Sequence, residues 1–365
     1  MFVLDPLLGH VTIKIRGLIY EKMFKQSGWE VDYVSRRPKD APRNARKIRR
    51  LEDQIVYQAR QFDVVYLLKV PSLYLVKELK RRTNAKVIFD LTDTLWHPLH
   101  QAVGWQDLNE ILRSVDAIFS ENDYICAYGR RFNPCVYSIP VCTQIELFEQ
   151  LRQQIARRSD NKIVLGWVGS GGTVSALHTI HEALEPLFQR HANLELRILG
   201  CPTPALLPSF RHVRFTATGD YNEEQMVREI LNMDIGLFPP PLDIEDYCVR
   251  GALKAMLYMS AGVPPVCQRA GDCVRIIEDG LTGMLADTME EWSKKIEILI
   301  INPELRKEIG QRAAVAIRQE HSLEYVFKIL SNTLSTVISS PPQPQQQETL
   351  PLSIWHRLPR LFLSK

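Results

Sequence analysis

Arg250 and Lys254 stand four residues apart in DYCVRGALKAMLYMSAGVPPVCQ, residues 246–268. If the run is helical, they lie about 40° apart around the axis, with Tyr258 beside them. Ala252, Leu253, Met256, Met259 and Ser260 then take the opposite, packing side. A helix start also carries unpaired N–H groups and the positive end of the dipole, so two cations there suit a diphosphate. The same pair also reads as a solvated basic face beside Asp243, Glu245 and Asp246.

A second stretch with chemical potential is GWVGSGGTVSALHTI, where an apolar strand runs into Gly169, Ser170, Gly171 and Gly172 before a helix near Thr173. Positions without side chains let a ligand reach backbone N–H groups, and Ser170 or Thr173 can cap the helix. A tight turn alone has the same composition. No Lys-Ser/Thr pair follows, which excludes a P-loop, and Val174 occupies the third glycine position of a dinucleotide fingerprint. The following strand, LELRILG, lacks a terminal acid to grip an adenosine ribose.

The elements that must hold these residues alternate apolar strands with amphipathic helices twice over, the pattern of two doubly wound α/β halves. In the first half FVLD, GWEVDYVS, DVVYLLKV, AKVIFDL, VDAIFSE and CVYSIPV read as strands. The second restarts at KIVLGWVG and continues through LELRILG, HVRFTA, DIGLFP and VPPVCQ, with helices near 174–190, 223–232, 250–261 and 289–301. We expect an N-terminal domain over 1–145, a polar linker over 146–160, a second domain over 161–338, and a Pro/Gln-rich linker and tail over 339–365. In such sheets ligands bind beyond the carboxyl ends of the strands.

With 365 residues, 45% hydrophobic and 24% charged, the chain has the composition of a globular protein too long for one core. Residues 1–160 hold 25 Lys+Arg against 19 Asp+Glu, the rest 20 against 23. Much of the excess lies in RRPKDAPRNARKIRR (Arg36–Arg50), a run able to meet anionic lipid, nucleic acid or, by default, simply water. Seven cysteines without a CxxC spacing fit a reducing cytoplasm. His178 and His181 lack a third ligand nearby in sequence, so no metal is expected. No segment approaches the ~18 apolar residues of a membrane span. The localisation expected is cytoplasmic, with peripheral contact at the inner face of the plasma membrane left open by the basic run. No nucleic-acid partner is expected.

The ordered series GWVGSGGT, DIGLFP, RGALKAMLYMSAGVPPV and IIEDGLTGMLAD, followed by Trp292, resembles the C-terminal half of retaining glycosyltransferases of family 4. IRGLIYEKMFKQSGWEV and VIFDLTDTLW resemble N-terminal segments of the same family. The resemblance implies the GT-B architecture: an α/β fold of two Rossmann-like doubly wound parallel-sheet domains facing a central cleft. It implies a glycosyltransferase of cell-envelope or polysaccharide biosynthesis, with a UDP- or GDP-linked sugar as donor, no permanently bound cofactor, and a glycan, lipid or other hydroxyl acceptor.

Many members carry two Glu residues flanking the donor-site helix start. The matching positions here are Asp246 and Lys254, the latter resembling a bacterial subtype with Lys in place of the second Glu. The basic pair usual after the first C-terminal strand is missing from GSGGT. Arg250 and Lys254 are then the cations available to a departing diphosphate. Gly169, Ser170, Gly171, Gly172, Thr173, Asp246, Gly251 and Tyr258 complete the implied donor site. On the acceptor side the candidates are Gly9, His10, Arg16, Asn122 and a catalytic Asp93; Gly9 also reads as a turn, Arg16 as a surface ion pair, Asn122 as a turn residue and Asp93 as a helix cap. Asp90-Leu91-Thr92-Asp93 has the wrong spacing for a DxD metal site. Two rival functions stay open: an NDP-sugar epimerase on the same fold, and a non-catalytic sugar-nucleotide or glycan-binding protein.

Overall fold

The computed structural model describes residues 1–5, 11–35, 44–92, 95, 104–155, 158, 160–201, 210–219, 221–240, 249 and 251–341. The chain divides into two units, residues 1–142 with 323–365 and residues 143–322.

Among the described residues unit 1 holds six parallel strands, β1 (Phe2–Asp5), β2 (Asp32–Ser35), β3 (Val64–Leu68), β4 (Lys86–Asp90), β5 (Ala117–Ser120) and β6 (Val136–Ser138), in the order β2-β1-β3-β4-β5-β6. All five residues of β3, VVYLL, are buried. An unbroken apolar run is what a strand covered by helices on both faces requires.

The Leu323–Ser339 helix belongs to this unit. Its buried stripe of Val326, Phe327, Leu330, Leu334 and Val337 joins the unit 1 core. Phe327 lies 5.0 Å from the Phe24 ring and 6.2 Å from that of Tyr20. Just beyond the helix, Lys86 Nζ donates to the Ser340 carbonyl at 2.7 Å. The expected second domain, 161–338, therefore gives up its last helix to the first, because an apolar stripe does not say which core it completes.

Unit 2 holds β7 (Ile163–Val168), β8 (Leu194–Leu199), β9 (Phe215–Thr218), β10 (Ile235–Phe238), β11 (Pro265–Gln268) and β12 (Met284–Ala286). They are parallel in the order β12-β11-β10-β7-β8-β9. The winding reverses between β7 and β10, which makes the carboxyl ends of that pair the topological switch point of the sheet. Residues 146–160, expected as linker, begin instead with the Ile145–Gln154 helix. Its buried Ile145, Phe148 and Leu151 recur at helical spacing, and Phe148 and Leu151 pack with Val164, Val168 and Tyr258. The helix expected over 174–190 forms as a 3-10 stretch, Val174–Ile180, followed by an α-helix, His181–Arg190. The helices Pro303–His321 and Leu323–Ser339 and strand β12 were not anticipated from periodicity.

Candidate donor site

The helix expected over 250–261 runs from Leu253 to Ser260. Gly251 and Ala252 precede it, and the N-cap Ala252 offers no side-chain bond, so the N–H groups of the first turn carry no side-chain cap. At the other end the Gly262 N–H donates to the Met259 carbonyl at 2.9 Å and Val263 N–H to Tyr258 at 2.9 Å, with Gly262 at φ +63°. That Schellman ending, followed by Pro264, stops the helix sharply. Lys254 thus lies in the first turn of a short helix whose end is fixed by sequence.

Tyr258 does not share a solvent face with Lys254. It is fully buried and its ring lies against Gly236 of β10, where an added Cβ would come within 2.3 Å of the ring. β7 and β10 pair only through Ile235–Leu165 and Gly236–Gly166. Just past this short ladder the Tyr258 hydroxyl accepts from Val168 N–H at 3.0 Å and donates to the Leu237 carbonyl at 3.3 Å. One phenol therefore satisfies backbone groups on the two strands that diverge at the switch point. Burial raises its pKa far above the ordinary tyrosine value, so it remains a neutral donor. The part expected of it in ligand binding becomes one of bridging these strands.

Lys254 sits above the same strand ends. Its Nζ lies 4.2 Å from the centroid of the Trp167 ring on β7, 5.6 Å from that of Phe238 on β10, and 3.5 Å from Thr173 Oγ1. At Gly169 a Cβ would meet Trp167 Cη2 at 2.3 Å and Lys254 Nζ at 2.8 Å. Glycine is thus required there by the indole and the ammonium together. Gly169 N–H donates to the Leu199 carbonyl at 2.9 Å, which ties the loop to the end of β8. Gly200, at φ +94°, leaves room for the Gly169 carbonyl, which would lie 1.8 Å from a Cβ at that position.

The rest of the loop is open. Thr173 N–H donates to the Ser170 carbonyl at 2.9 Å, and Ser170 N–H reaches Thr173 Oγ1 at 3.3 Å. Gly171 and Gly172 have no positive φ, and added Cβ atoms would find nothing nearer than 3.9 Å. Neither backbone conformation nor packing demands glycine at these two exposed positions. Without side chains there, the loop backbone is open to close approach. Gly169–Thr173, Gly251 and Lys254 all belong to unit 2, whereas Asp246 and Arg250 lie outside the described residues.

In unit 1, Arg16 is buried rather than a surface ion pair. Its Nε donates to both Asp90 carboxylate oxygens at 3.0 and 2.8 Å, and its Nη1 to Glu121 Oε2 and the Ile139 carbonyl at 3.2 Å each. Tyr66 donates a short hydrogen bond to Asp90 Oδ2. Burial opposes the guanidinium charge, but Asp90, Tyr66 and Glu121 hold its pKa well above the ordinary value. These groups bind the ends of β4, β5 and β6 to the helix after β1. Asn122 caps the Asp123–Gly129 helix, its Oδ1 accepting from Tyr124 and Ile125 N–H at 2.9 and 3.1 Å. Gly9, His10 and Asp93 lie outside the described residues. The His181 Nδ1 is 2.8 Å from the His178 carbonyl, and among the described residues no three potential ligands gather as a metal site.

Sequence reasoning missed Trp167 and Phe238 as partners of Lys254. A Trp two residues before the first loop glycine and a Phe at the end of DIGLFP were the available signals, but both read simply as buried strand residues.

Residues 162–302 match the family model of glycosyl transferases group 1. Among solved structures, sucrose-phosphate synthase from Thermosynechococcus elongatus is similar with a TM-score of 0.72 and 16% identity, covering 93% of this chain and 99% of that one. HepE from Anabaena, solved with UDP and glucose, gives a TM-score of 0.66 and 16% identity over 92% of this chain and 99% of its own. A UDP-forming α,α-trehalose-phosphate synthase from Burkholderia xenovorans gives 0.68 and 12% over 93% and 99%. The fold is that of GT-B glycosyltransferases. No curated protein sequence matches the chain.

Proposed function

We propose that this chain is a retaining family 4 glycosyltransferase of the Lys-bearing bacterial type, moving a sugar from a nucleoside-diphosphate donor to a hydroxyl of a glycan or lipid acceptor. The observation that carries the reading is the placement of Lys254. Its ammonium lies over two aromatic rings and beside the open Gly169–Thr173 loop, at the switch point of a glycosyltransferase domain.

In the transfer, the bond between the anomeric carbon and the diphosphate oxygen breaks, and its electron pair stays on the diphosphate. The acceptor oxygen bonds to the anomeric carbon and releases its proton. A preorganised ammonium stabilises the charge that grows on the leaving group more than it stabilises the bound donor. Loop N–H groups and the first turn of the Leu253–Ser260 helix supply further donors, and Arg250 a second cation. Acceptor recognition is assigned to unit 1, with Asp93 orienting the hydroxyl and Gly9, His10, Arg16 and Asn122 shaping its surroundings.

A uridine donor is the first to test, since HepE has been solved with UDP-glucose. The decisive experiment incubates the protein with UDP- and GDP-sugars and a panel of glycan and lipid acceptors, and follows products by mass spectrometry. Release of nucleoside diphosphate with gain of one sugar on an acceptor supports the reading. Interconversion of donors without an acceptor would mean epimerisation, and nucleotide binding with no turnover would mean a binding protein.

The Ala45–Ala59 helix carries exposed Arg46, Lys47, Arg49 and Arg50. They support a peripheral contact with anionic lipid in envelope or polysaccharide synthesis. Among the described residues no helix is long and apolar enough to cross a membrane.

A further inference from the structure

Trp167 is fully buried, yet among the described residues its indole Nε1–H has no hydrogen-bond partner. A buried donor left unsatisfied is a standing cost, and a phenylalanine would avoid it. What the indole offers instead is the strongest aromatic face for a cation, and Lys254 Nζ lies 4.2 Å from its centroid. Phe238, on the neighbouring strand, supplies a second ring 5.6 Å away. Gly169 has no Cβ to obstruct either the indole or the ammonium. Two strands, one loop and one helix thus converge on a single charged group.

We propose that Trp167 and Phe238 form an aromatic seat that fixes the Lys254 ammonium and makes position 254 selective for a cation over a carboxylate. The negative faces of the rings attract an ammonium and repel a carboxylate. Trp167 and Phe238 are positioning residues, acting on the diphosphate through Lys254. Their part in catalysis rests on the function proposed above; the seat itself does not.

The test uses full-length protein carrying ¹³C-labelled lysine. A ring-shifted ε-methylene resonance that disappears in Lys254→Met identifies the seated side chain. It should move toward the position of ordinary surface lysines in Phe238→Leu, and further in Trp167→Leu. Trp167→Phe retains an aromatic ring if the leucine variant fails to fold. Lys254→Glu should melt below Lys254→Gln in the wild-type background, and the gap should narrow in Phe238→Leu.

With a donor that the wild type turns over, Trp167→Leu should lower kcat about tenfold, a cation–π-sized loss, and Trp167→Phe less, with KM changed less than about threefold in each. In a Lys254→Met background neither change should cost anything further. An unshifted Lys254 resonance, equal melting of the Glu and Gln variants, or losses that add in the double variant would overturn the proposal. A shifted resonance in a protein that turns over no donor would leave the seat standing and overturn the glycosyl-transfer reading.

Discussion

At the scale of single residues, Lys254 and Tyr258, four residues apart on one helix, do different work. Lys254 presents charge over Trp167 and Phe238, whereas Tyr258 bridges β7 and β10 from within the core. Lys254→Met should lower turnover by about 10²-fold, the scale of one lost charge-stabilising donor. Its melting temperature should change little, because the Met stem keeps the packing. Tyr258→Phe should show the opposite emphasis. It leaves Val168 N–H and the Leu237 carbonyl without their bridging partner, a loss of about 1–3 kcal/mol in stability. Chemical denaturation should detect that loss, and donor affinity should fall only as far as the switch point loosens.

At the scale of elements, the Gly169–Thr173 loop holds one glycine that packing requires and two that it does not. Gly169→Ala drives a Cβ into Trp167 and Lys254 and should impair both folding and turnover. Gly171→Ala and Gly172→Ala meet nothing closer than 3.9 Å. Those two should fold normally and weaken donor binding, measurable by calorimetry with UDP or GDP; unchanged affinity in both would remove the loop from the site. The loop and the cationic helix start were legible in sequence because glycine spacing and charge are local. The doubly wound sheets were legible because buried parallel strands are apolar throughout. The aromatic seat was not, since Trp167 and Phe238 meet Lys254 only through the pairing of β7 with β10 and the return of the Leu253–Ser260 helix. Arg16 likewise found Asp90 across 74 residues, a partnership no local pattern announces.

At the scale of the whole molecule, the chain passes between its units twice, at 142–143 and at 322–323. Removing residues 342–365 should leave the melting temperature nearly unchanged. Removing 323–365 strips Val326, Phe327, Leu330, Leu334 and Val337 from the unit 1 core and should unfold that unit, as hydrogen exchange would show. Arg36→Glu with Arg37→Glu and Arg50→Glu should leave transfer to a soluble acceptor intact and weaken sedimentation with anionic vesicles, each basic residue near the surface contributing about 1 kcal/mol. Unchanged sedimentation at low salt would remove the membrane contact. The central claim, that Lys254 serves a departing nucleoside diphosphate, is tested most directly by the steady-state release of that diphosphate from a sugar donor in the presence of acceptor. The wild type should release it, Lys254→Met about 10²-fold more slowly, and Lys254→Glu not detectably. Near-wild-type release by both variants would contradict the claim.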